Sequence, residues 1–151
     1  MIYTLIQLIL VSIAATTVMT WFSYSMSESF RELYKEPVLL AYVIEKMKLK
    51  PNAHSQKIYG WLLHYVIGLL FVIGYYFAWT KNIVPISILG TLLLGIISGI
   101  IGVVSWIIIF NITNHQPRID FRGYYIQLFF AHVIFAAIAA VLYTITITLI
   151  K

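Results

Sequence analysis

The chain has 151 residues, 62% of them hydrophobic and 10% charged, with ten basic and five acidic side chains and a net charge of +5. That balance lies far outside the range of soluble domains and leaves room for one compact bundle without an extramembrane domain. The basic residues form no stripe interleaved with stacking aromatics, which argues against nucleic acid as a partner, and with no cysteine there is no disulfide, thiol nucleophile or Cys-based metal site.

Every charge falls outside four stretches free of Asp, Glu, Lys and Arg: Met1–Ser27, Ile58–Thr80, Asn82–Pro117 and Gly123–Ile150. About 20 apolar residues cross a hydrocarbon core as a helix, so each stretch is long enough to span. The predicted fold is an all-α integral membrane protein, a four-transmembrane-helix bundle in a single domain over residues 1–151. Its spans lie at about 2–25, 58–80, 84–111 and 123–149, with long loops at about 26–57 and 112–122.

In the first span Ser12, Thr16, Thr20 and Ser23 share one helix face, small enough for close approach and able to hydrogen-bond across an interface. Trp21 and Tyr24 mark one headgroup level and Tyr3 the other. No basic n-region precedes the apolar run, so the span is expected to be retained rather than cleaved as a signal peptide.

The first loop carries a short amphipathic interfacial helix. After Pro37, a preferred first helical position, Leu40, Ile44 and Met47 recur at helical spacing with Val43 beside them. Glu36, Glu45, Lys46 and Lys48 fill the rest, and Lys50-Pro51 ends the segment. The pattern predicts a helix lying on the inner membrane surface, with Ser27–Lys35 continuing span one or acting as a hinge over the bundle mouth.

Span two contains His64, Tyr65 and Gly68 between Trp61 at one end and Tyr75, Tyr76 and Trp79 at the other. Span three offers a groove of Gly95, Gly99 and Gly102 flanked by Ser98 and Ser105. That groove is read first as intramolecular packing and second as a homodimer face. In the second loop Asn111, Asn114, His115 and Gln116 are placed to cap span three, and Asp120 to pair with Arg118 or Arg122. The alternative for this loop is an anion or lipid-headgroup site. Span four holds His132 and a small-residue surface of Ala131, Ala136, Ala137, Ala139 and Ala140; its alternating Thr144-Ile-Thr-Ile-Thr148 run is kept helical, because a lone strand cannot cross a bilayer satisfied.

His64 and His132 are the candidate chemistry. They are expected at similar depth, each with a small residue four positions on, Gly68 and Ala136, which leaves a vacancy on the same face. Two neutral imidazoles beside small residues suit a haem b or metal ion between helices. The favoured alternative is a pair of interhelical histidines satisfied by hydroxyls or carbonyls, since no span carries a carboxylate to support a ligand set or proton relay. No Gly-x-Ser-x-Gly, phosphate loop or His-Glu-x-x-His is present, so enzymatic activity is not expected.

Eight of the ten basic residues lie in the two long loops and only Lys81 and Lys151 on the other side, which predicts cytoplasmic loops and both termini outside. The segments Ala15-Thr-Thr-Val-Met-Thr20, Gly60-Trp-Leu-Leu-His-Tyr-Val-Ile-Gly68 and Ala131-His-Val-Ile-Phe135 resemble a family of short, four-span bacterial inner-membrane proteins of unknown function with a Gly-Trp-x-x-His-Tyr motif. Thr20 stands where that family often has an acid, and its Pro-rich loop shrinks here to His115-Gln-Pro117. The resemblance implies the fold and a bacterial inner-membrane location but no activity. The functional expectation is a non-catalytic homo-oligomer or accessory subunit with a membrane-protein partner. Its alternatives are a haem- or metal-binding electron-transfer or sensing protein and a small pore or carrier.

Overall fold

A computed structural model describes residues 2–49, 52–113 and 116–149. They form five helices: α1 (Ile2–Phe30), α2 (Glu36–Lys46), α3 (Ala53–Thr80), α4 (Ile88–Thr113) and α5 (Phe121–Leu149). Four of them, α1, α3, α4 and α5, are long and apolar enough to cross a membrane. The protein is a small multi-pass membrane protein with an all-α four-helix bundle, and no strand occurs among the described residues. In the most apolar window of α3 only 22% of residues are buried, so most of its surface is left for lipid.

Local chemistry fixes the helix ends. The Asn52 side chain accepts from the Ser55 amide at 2.7 Å and caps α3. Pro85 and the Ser87 hydroxyl, which accepts from Gly90 N at 3.1 Å, start α4 at Ile88 rather than at the beginning of the apolar run. At the far ends of α1, α2 and α3, Arg31, Lys48 and Asn82 adopt left-handed φ of 54–56°. The amides after them reach back to Ser27, Ile44 and Ala78 carbonyls, the six-to-one bond of a Schellman ending. The alternating threonines of α5 are helical, with Thr144, Thr146 and Thr148 each donating to a carbonyl one turn back.

The spans form an open horseshoe. α3 packs on α1, α1 on α5 and α5 on α4, while α3 and α4 stand at the free edges and barely approach each other. Tyr75 crosses that gap, its Oη donating to Ser98 Oγ at 2.7 Å, while Phe71 and Tyr75 meet Phe135 of α5 edge-on.

The expected short amphipathic helix is present, and much of its apolar face packs on the bundle, while Val38, Glu45 and Met47 stay exposed. Glu36, Pro37, Leu39, Leu40, Val43 and Ile44 of α2 are all buried. Its backbone rests directly on α3 at Gly60, where an added Cβ would come within 2.5 Å of the Pro37 carbonyl oxygen and 2.9 Å of Ala41 N. The apolar face that sequence reasoning assigned to lipid finds a protein partner instead, and α2 plugs one end of the bundle. Ser27–Phe30 continue α1, and the linker that follows turns back so that Tyr34 is buried against Tyr124.

Candidate functional site

The horseshoe encloses a cleft of about 630 Å³ between α3 and α4. Its rims are the exposed side chains Leu70, Ile97 and Ile101 with Gly74, so it opens sideways towards lipid. Phe71, Leu94 and Phe135 make most of the interior apolar. At the α2 end the lining turns polar, with Thr16, Glu36, His64 and His132.

Both histidines face inward and are buried. Each follows the first residue of its helix by eleven positions, Ala53 to His64 and Phe121 to His132, about 16 Å along its own helix axis. Thr20 Oγ1 donates to the Thr16 carbonyl at 2.7 Å and lies 2.9 Å from His64 Nε2. A hydroxyl has one proton, so the bonding assigns the proton of that contact to His64 Nε2 and leaves Nδ1 as a bare acceptor. His132 Nδ1 lies 2.9 Å from the Leu128 carbonyl, an acceptor only, so Nδ1 carries the proton and Nε2 is bare. Tyr65 turns away from the cleft and meets Thr17 at 3.0 Å.

The vacancies expected beside the imidazoles are filled. Gly68 receives the Thr16 hydroxyl, Ala136 packs on Gly95, and the His132 ring lies on Gly102, where a Cβ would come within 2.6 Å of it. Among the described residues no three His, Asp or Glu side chains form a metal-binding group. Gly95, Gly99 and Gly102 seat Val133, Phe129 and His132 of α5, so this groove presents no free face to a second copy. Ser12, Thr16, Thr20 and Ser23 form a buried face of α1, and Ala140 lies in the core of α5.

Sequence reasoning missed the most polar group of the site. The uncharged stretches themselves carry no carboxylate, yet α2 delivers one to the bundle. Glu36 is 1% exposed. Ser23 Oγ donates to its Oε1 at 2.8 Å, and Gln127 Nε2 reaches both Ser23 Oγ (2.6 Å) and Oε1 (3.4 Å). Glu36 Oε2 has no partner, nor have the nearby Gln127 Oε1, Tyr124 hydroxyl and Thr16 hydroxyl. Burial raises the Glu36 carboxyl from its ordinary 4.5 to about 7, outweighing the hydrogen bonds from its own backbone, Ser23 and Gln127 that favour the charged form. The signal was there: Glu36, Leu40, Val43 and Ile44 are spaced by four, seven and eight, which puts the acid on the apolar face.

The second loop behaves differently from its expected pairing. Asp120 caps α5, accepting from Arg122 N and Gly123 N at 3.1 Å each, and the Tyr34 hydroxyl reaches it at 3.4 Å. Arg118 and Arg122 are exposed and form no ion pair with it. Asn111 lies inside α4 and caps nothing; Asn114 and His115 fall outside the described residues. No family model, curated protein or solved structure matches this chain. The Gly60–Gly68 motif is a packing template: Gly60 admits α2, His64 and Tyr65 bind hydroxyls of α1, and Gly68 admits Thr16.

Proposed function

We propose that the protein is a non-catalytic binder or carrier of a lipid-soluble, amphipathic ligand, held with its apolar body in the α3/α4 cleft and its polar head at the Glu36–His64–His132 end. The observation that carries this reading is a sideways-opening apolar cleft that ends on a fully buried carboxyl group with a free oxygen. Buried polar atoms without partners are costly, and a ligand head that supplies hydrogen bonds relieves that cost. The lateral mouth lets such a ligand enter from the bilayer without crossing water. The charge bias of the loops supports a cytoplasmic-membrane setting with α2 and the second loop inside and the termini outside.

Gly74 supplies the test. It stands at the mouth, and an added Cβ there meets nothing within 4 Å. A photoreactive lipid analogue in nanodiscs is expected to label Leu70, Ile97 and Ile101 well above the outer α1 residues Leu5 and Leu10, and Gly74→Phe is expected to abolish the excess. Uniform labelling of all lipid-facing residues would sink the reading. A haem at the two bare imidazole nitrogens is a weaker second reading, because the space beside each ring is taken. A Soret band in the purified protein, lost in His132→Ala, would revive it.

A further inference from the structure

The polar end of the cleft is chemically one-sided. Glu36 Oε2, His64 Nδ1 and His132 Nε2 are acceptors without donors, and among the free groups beside them only the Thr16 and Tyr124 hydroxyls work either way. Glu36 also lacks a counter-ion. Among the described residues the sole ion pair joins Lys46 to Glu45 at 3.7 Å, on partly exposed side chains of α2. Lys35, next to Glu36 in sequence, sends its ammonium over the Tyr24 ring instead, 4.5 Å from the centroid. A buried carboxylate with no cation of its own, beside an apolar space and two bare imidazole nitrogens, is complementary to a cation that carries N–H donors and an apolar tail. The lack of a three-ligand cluster speaks against an inorganic ion as that cation.

We propose that the ligand of this cleft is a lipophilic amine, bound as its ammonium form with an N–H group directed to the free oxygen of the Glu36 carboxylate. The assignment rests on the reading of the cleft as a site for a lipid-soluble ligand and names the head that the site selects. Binding requires Glu36 to be ionised, and burial has moved its titration to about 7. The titratable groups sharing its surroundings are Tyr24 of α1, His64 of α3, and Tyr124 and His132 of α5; the cleft-lining residues of α4 contribute none. The ammonium stays charged well above neutral pH, so acidification removes the ligand's partner and not the ligand's charge.

The test uses the full chain in nanodiscs and a photoreactive alkylamine with a diazirine in its tail. Dodecylamine, dodecanol and dodecanoate compete for labelling of Leu70 and Ile101. At about pH 8 dodecylamine is expected to compete about tenfold better than either of the others. In Glu36→Gln it is expected to fall to the level of dodecanol, whose own competition is unchanged. With the natural chain, lowering the pH to about 5 is expected to weaken dodecylamine about tenfold and leave dodecanol alone, which keeps the test valid if Glu36→Gln does not fold. Equal competition by all three heads, or a pH effect that survives in Glu36→Gln, overturns the amine assignment while the cleft reading stands. Labelling that is not concentrated in the cleft overturns both.

Discussion

α4 has two faces that meet the bundle in opposite ways. Towards α5 it offers Gly95, Gly99 and Gly102, and the helices close until a Cβ at Gly95 would come within 2.9 Å of Val133 Cα. Towards α3 it offers Leu94, Ile97, Ser98 and Ile101, and there the helices stay apart with the cleft between them. Small residues let backbones meet, whereas large ones hold them at side-chain distance. One seam is sealed by what the side chains lack, and the other stays open, with Tyr75 reaching across it to Ser98. The lesson is that in lipid, where no hydrophobic force drives spans together, residue size alone separates a structural contact from a binding space.

The contrast can be pressed from several sides. The largest expected effect is pH dependence on the open side. Glu36 titrates near 7 folded and near 4.5 in its ordinary state, so the folded protein holds the proton more tightly. The contribution of Glu36 to stability is then fully present below about pH 4.5 and is lost as pH rises to about 7, by about 3 kcal/mol in all. Thermal unfolding in detergent should show it as a difference between the natural chain and Glu36→Gln that changes by that amount between those values; a constant difference would mean Glu36 is not the group. Next, Gly95→Leu should cost about 1–3 kcal/mol, because the neighbour in its way is backbone and cannot rotate aside. A tolerated leucine would show the α4/α5 seam to be looser than drawn.

Smaller effects come from single hydrogen bonds. Thr20→Val removes the His64 acceptor, and Tyr75→Phe cuts a hydrogen bond between α3 and α4. Each should lower stability by about 0.6–1.7 kcal/mol, with Tyr75→Phe also raising lipid-analogue labelling of the cleft. The smallest is Gly74→Ala. With open space around it, the exchange should be neutral or stabilising by up to about 1 kcal/mol, against a loss for Gly95→Ala. Equal losses at the two glycines would erase the distinction between sealed and open seams.

Much of the architecture was legible because charge and membrane exclude each other, so four uncharged stretches had to be helices. His64 and His132 were legible as a buried pair for the same reason. Glu36 was misread because charged side chains were assigned to water by type, although its spacing from Leu40 and Ile44 put it among the apolar positions. Asp120 went to the α5 amides rather than to an arginine, since an N-terminal amide cluster holds a carboxylate at a fixed place and a surface ion pair contributes little. The cleft was not readable at all. It depends on which side chains of α3 and α4 end up opposite one another, and one-dimensional spacing does not contain that.

The seat of α2 on Gly60 also bears on how the protein is made. An acidic residue in the middle of a span weighs about 2.5–3.5 kcal/mol against membrane insertion. Here the acid rides on a separate short helix, so each span keeps a long uncharged stretch, with Glu28, Lys57 and Arg122 only near helix ends. The carboxyl group arrives afterwards, when α2 docks on Gly60 and the Ser23–Gln127 pair receives it. Assembly thus separates the step that needs hydrophobicity from the step that installs polarity, and a chain whose α2 fails to dock would still be a fully inserted membrane protein.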